Sequence, residues 1–125
     1  MIEVEGATVD QCRVDYAFSI LSTLHRGSLV IRIEAPFTFT FGKQVRKFDP
    51  AHPTSRGEVL GIFRERLTRV SVHDGGDLTL TFGNDSSIVV APDTQYEAWT
   101  IAGPLGLNLV CCPGGTLSVW EPSEG

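Results

Sequence analysis

Beyond Arg69 the chain has no lysine or arginine, and in all 125 residues it has three cysteines, two tryptophans and one methionine. Each shortage excludes something. A segment without cations cannot neutralise a phosphate backbone, so residues 70–125 are not expected to bind nucleic acid. An odd number of cysteines, two of them adjacent (Cys111 and Cys112), excludes the even, widely spaced framework of a disulfide-stapled secreted domain. No apolar run approaches the roughly 18–20 residues that a membrane helix needs. The first residues, Met1-Ile2-Glu3-Val4-Glu5, are acidic at once and lack the basic-then-apolar layout of a signal peptide. The expectation is a cytoplasmic protein with no membrane partner.

Chemical signatures are equally scarce. There is no H-E-x-x-H, C-x-x-C, phosphate-binding loop or dinucleotide glycine motif, so no catalytic, cofactor-binding or metal-ligating residue is assigned. The three histidines are spread out: His25 in a turn, His52 between prolines and His73 at a strand end. His73-Asp74-Gly75-Gly76-Asp77 reads first as a turn between alternating strands.

What is present is a pattern that runs twice. Apolar positions Val14, Tyr16, Phe18 and Ile20 precede a turn at His25-Arg26-Gly27, the run 29–33 and Ala35-Pro36. Later, Val70 and Val72, a turn at Asp74-Gly75-Gly76, Leu78, Leu80 and Phe82, another turn at Gly83-Asn84-Asp85 and the run 88–90 lead to Ala91-Pro92. Alternation predicts strands over 11–22, with a break near Asp15 left open, and over 28–34, 37–41, 68–73, 77–82, 86–91, 96–102, 107–112 and 116–120. Between the two passes, Thr54 or Ser55 can cap a helix over about 55–67, with Val59, Leu60, Phe63 and Leu67 at helical spacing. Gly57 and Gly61 each weaken that helix by about 1 kcal/mol relative to alanine. The fold class expected is therefore α+β: a predominantly antiparallel meander in one bent or two packed sheets, with two similar β halves and one helix between them. The whole chain, 1–125, reads as one domain.

Charge is distributed unevenly. Residues 43–69 hold seven cations against three carboxylates, a balance of +4, whereas 70–125 carry −7 within a net charge of −5. The basic stretch has only Phe48 and Phe63 as aromatics, too few for a base-stacking platform. The acidic half can orient a basic partner before contact, which makes the turn residues Asp74, Asp77 and Asp85 the candidate partner-binding positions. Cys12, Cys111 and Cys112 read as free and inert, since no cation lies nearby to lower a thiol pKa.

The most specific stretch is C-terminal: Tyr96-Glu97-Ala98-Trp99, Gly103-Pro104, Cys112-Pro113-Gly114-Gly115 and Val119-Trp120. Trp99 and Trp120 offer large apolar surfaces and are both expected in the core. This block resembles a small, largely actinobacterial family catalogued as a domain of unknown function. The resemblance implies a compact domain and supplies no catalytic residues. The functional expectation is a non-catalytic cytoplasmic protein-binding module of a toxin-immunity kind, whose partner presents a basic surface. The alternatives are a small ligand-binding protein or enzyme with a pocket between sheet and helix, and a homo-oligomer that sets acidic face against basic helix.

Overall fold

The computed structural model describes residues 7–24, 27–50 and 59–121, which form two antiparallel sheets. The strands are β1 (Thr8–Val14), β2 (Phe18–Leu24), β3 (Gly27–Ile33), β4 (Phe37–Phe41), β5 (Gln44–Phe48), β6 (Leu67–Val72), β7 (Leu78–Phe82), β8 (Ser87–Val90), β9 (Trp99–Ala102), β10 (Asn108–Cys111) and β11 (Leu117–Trp120). One sheet has the order β1-β2-β3-β9-β10-β11 and the other β5-β4-β8-β7-β6. Their inward faces meet in one continuous core that joins Phe18, Ile20, Ile31 and Ile101 to Phe39, Leu80 and Ile88. Alternation explains the register: β7 buries Leu78, Leu80 and Phe82 and turns Thr79 and Thr81 outward.

The doubled sequence pattern has a topological counterpart. β1-β2-β3 and β6-β7-β8 are each a three-stranded meander in its own sheet. After each meander, an Ala-Pro linker (Ala35-Pro36, Ala91-Pro92) carries the chain into the other sheet. There β4 pairs with β8, and β9 pairs with β3. Each half thus completes the other half's sheet, and among the described residues β11 is the one strand without a counterpart. Proline suits these crossovers because they need an extended backbone and no ladder N–H.

Three expectations are corrected. The strand over 11–22 does break near Asp15, and into a hairpin: Asp15 accepts a bond from the Ala17 N–H at 2.8 Å, and Cys12 faces Ile20 across the β1–β2 ladder. Tyr16, expected to alternate inward, lies at the tip and is 86% exposed. The helix over 55–67 is absent from its described part. Residues 59–62 make one 3-10 turn, Arg64 adopts φ 68°, and Leu67 already belongs to β6. The class is therefore all-β rather than α+β among the described residues. Glycine at 61 disfavours continuing the helix, while Ile62 and Leu67 reach the core without it, and Phe63, expected inward, stays exposed. Residues 55–58 of that segment lie outside the described residues. Finally, Gln44–Phe48 is a strand that its charged side chains concealed; four of its five residues are exposed and only Phe48 turns inward, to stack on Phe37 at 5.7 Å.

The sheets are joined along one side. The Val9 N–H donates to the Glu65 carbonyl and the Arg64 N–H to the Val9 carbonyl, both at 2.8 Å, so β1 is tied to the segment that leads into β6. The opposite edges, β5 and β11, have no strand beyond them among the described residues.

Candidate functional site

Strand direction decides which connectors share an end of the molecule. Phe18, Ile33 and Trp99 lie level in one sheet, and Phe37, Phe48, Val90 and Leu78 lie level in the other. The connectors at that end are residues 15–17, 34–36, 49–50, 73–77, 91–98 and 112–116. Among the described residues their charged side chains are Asp15, Glu34, Asp49, Asp74, Asp77, Asp93 and Glu97, with no lysine or arginine. The far end is mixed, with Lys43, Arg64 and Arg66 beside Glu65 and Asp85.

The acidic end is held in shape by a polar junction between the sheets. The β6–β7 turn lies against the β10–β11 turn so closely that a Cβ on Gly76 would sit 2.7 Å from the Gly115 Cα. Both glycines also have positive φ, 101° and 96°, which side chains disfavour. The carbonyl of Gly76 then accepts from the buried Trp99 Nε1 at 2.9 Å and from the Cys111 thiol at 3.4 Å. The Gly114 N–H donates to the Asp93 carbonyl at 2.8 Å, and Asp93 Oδ1 accepts from the Gln95 N–H at 2.7 Å, which ties the 91–98 linker to the same junction. Asp74 and Asp77 therefore project from a turn fixed on its inner side.

Placement of the candidate positions divides them. Asp74 and Asp77 are exposed at the acidic end; Asp85 is exposed at the other end of β7, in a left-handed turn at φ 65°. A five-residue strand separates the two turns by about 17 Å. The structure instead adds Asp15, Glu34, Asp49, Asp93 and Glu97 to the first two. Sequence order hid that grouping because three of these precede the C-terminal half. The usable signal was their position at strand ends, especially Glu34 before Ala35-Pro36.

Arg32 lies just inside this end, 3.0 Å from Glu34 and 3.8 Å from Asp15. Pairs this exposed contribute little to stability.

Of the histidines read from the sequence, one is described, at the start of the 73–77 turn. His73 is exposed and bonds Thr79 Oγ1 at 3.1 Å; His25 and His52 lie outside the described residues. Among the described residues, no three His, Cys, Asp or Glu side chains gather as a metal-holding group. A crevice of about 20 Å3 lined by Val14, Phe18, Phe37, Phe48, Asp49, Pro50 and Val59 has room for about one water molecule. The cysteines are free, with Cys111 inward and Cys112 beside Ser118 Oγ at 3.4 Å. Burial pushes the Cys12 thiol up to about 11 and also raises that of Cys111. No helix among the described residues is long and apolar enough to cross a membrane.

A family model described as Family of unknown function (DUF6188) matches residues 1–121. The chain belongs to that family. The DUF6188 match takes in both sheets and both Ala-Pro crossovers, so the interleaved architecture lies wholly within the matched region. No curated protein and no solved structure matches the chain.

Proposed function

We propose that this protein is a non-catalytic, cytoplasmic protein-binding module of a bacterial toxin-immunity kind, and that its acidic end covers a basic surface of the partner. The observation that carries this reading is the set of connectors at one end of the sheets, whose described residues hold seven carboxylates and no lysine or arginine. Such a one-signed end steers a cationic partner and fixes its orientation more than it adds raw affinity. The Trp99–Gly76–Gly115 junction supports the reading further. A pre-shaped turn loses little conformational freedom on binding, which favours a surface used for recognition.

Asp74 and Asp77 are the positions most suited to contact, and Asp85 is not part of the same surface. Affinity capture from the native host tests this. Wild-type protein retains a basic partner at low salt, and the Asp74→Lys/Asp77→Lys variant loses it while keeping its melting temperature. Retention of the same partner by that variant at every salt concentration would overturn the assignment.

A further inference from the structure

The two edges that have no strand beyond them among the described residues differ in kind. β5 carries Arg46 and Lys47, with Lys43 in the turn before it; charges of this sort keep sheet edges from pairing. β11 carries none, and no charged residue occurs anywhere from Ala98 to Trp120. Its Val119 and Trp120 are 48% and 56% exposed.

The backbone of β11 is also half unused. The Cys112 N–H donates to the Thr116 carbonyl at 2.8 Å, and the ladder continues with Val110 opposite Ser118 and Asn108 opposite Trp120. Bonded pairs alternate along an antiparallel ladder, so Ser118 and Trp120 bond to β10 while Leu117 and Val119 turn their N–H and C=O groups outward. Among the described residues no strand meets them.

We propose that β11 pairs antiparallel with β11 of a second copy of this chain, about a two-fold axis at Ser118. That register sets Leu117 opposite Val119 of the second copy twice over, which satisfies every outward backbone group of the two residues. It joins the two six-stranded sheets into one, and it extends the inner apolar face, because Leu117 and Val119 share the side of Cys111 and Leu109. A second copy fits better than another occupant for two reasons. An isologous contact needs a self-complementary patch, which a short apolar strand provides. Two chains of charge −5 also repel least where neither carries a charge, and β11 is that place.

A four-residue edge contact falls at the small end of specific interfaces, below about 1,200 Å2, so the dimer dissociates on dilution. Sedimentation of the full chain over about a hundred-fold concentration range tests the proposal. The expected mass rises from 13.6 kDa toward twice that value, and added salt does not reverse the rise. Val119→Lys abolishes dimerisation and Val45→Lys, on the other open edge, leaves it intact. Val119→Pro removes the outward N–H, breaks no bond to β10, is of a kind tolerated on edge strands and gives the same loss, which guards against a misfolded lysine variant. In hydrogen exchange the Leu117 and Val119 amides slow as concentration rises. Asp74→Lys/Asp77→Lys has no effect on any of this, which separates the dimer from the acidic-end reading. A wild-type mass fixed at that of one chain throughout, or a dimer unchanged in both Val119 variants, would overturn it.

Discussion

The indole Nε1 of Trp99 donates to the carbonyl of Gly76 at 2.9 Å, in full burial and between two different sheets. That bond links the β6–β7 turn to the opposite sheet, and it puts the tryptophan to both apolar and polar use. Trp99→Ala is expected to destabilise the protein by about 3–5 kcal/mol. Trp99→Phe keeps most of the apolar volume, removes the donor, and should cost about 1–3 kcal/mol. Trp120, expected in the core from sequence, is instead 56% exposed, so Trp120→Ala should stay within about 0.5 kcal/mol of wild type. Urea denaturation of the three variants checks this order.

Gly76 and Gly115 make a second, sharper comparison. At Gly115 a Cβ would collide with the carbonyl of Gly75, and at Gly76 with the backbone of Gly115. Gly75 and Gly114 have positive φ as well, 90° and 83°, but open space around them. Alanine at 75 or 114 is expected to cost only the backbone strain, about 1–2 kcal/mol. Alanine at 76 or 115 must also move one turn off the other, so it should cost more and weaken the Trp99 bond. Melting curves with tryptophan fluorescence separate the two pairs.

Much of the fold was legible in the chain, for physical reasons that can be named. Residues such as Leu78, Leu80 and Phe82 alternate with threonines, so period-two burial was visible, and glycine-rich turns marked the strand ends. The two Ala-Pro linkers disclosed the recurrence, although the exchange of strands between halves needed the pairings of β3 with β9 and β4 with β8. The 55–67 reading failed because Val59, Leu60, Phe63 and Leu67 match helical spacing by coincidence. Tertiary bonds from Val9 to the 64–65 backbone draw this segment toward β1 instead. β5 was missed because an edge strand with exposed Arg46 and Lys47 lacks an apolar period. The acidic end was only half legible: Asp74 and Asp77 were found, but their grouping with Asp15 and Glu34 depends on strand direction, which sequence order does not carry.

Ser22 faces inward between Val9 and Leu29, 3% exposed, and its hydroxyl has no hydrogen-bond partner. A buried unpaired hydroxyl costs about 1–3 kcal/mol. Ser22→Ala should therefore stabilise the protein by about 1 kcal/mol, or raise Tm by about 3–5 °C. Calorimetry decides the sign. A lower Tm would mean that the hydroxyl is satisfied, for example by a buried water.

The Cys12 thiol, raised by burial from 9.0 to about 11, gives the protein an alkaline weakness. Between those values the unfolded chain has lost a proton that native Cys12 keeps, so deprotonation favours the unfolded state. The contribution is intact below pH 9.0 and falls away as pH rises to about 11. Unfolding free energies measured across that range should decline more steeply for wild type than for Cys12→Ala. Alkylation of native Cys12 should likewise stay slow until the upper end of the range.

The most direct test of the acidic end is the association rate with the captured partner at two salt concentrations. Steering acts over about one Debye length, roughly 8–10 Å, so the wild-type on-rate should be high and should fall steeply with salt. Asp74→Lys/Asp77→Lys should slow association and flatten the salt dependence, with the off-rate changing less. Asp85→Lys, at the far end of β7, should leave both nearly unchanged. An on-rate that ignores the first variant and collapses with Asp85→Lys, or with reversal of Arg64 and Arg66, would place the binding surface at the opposite end and contradict the assignment.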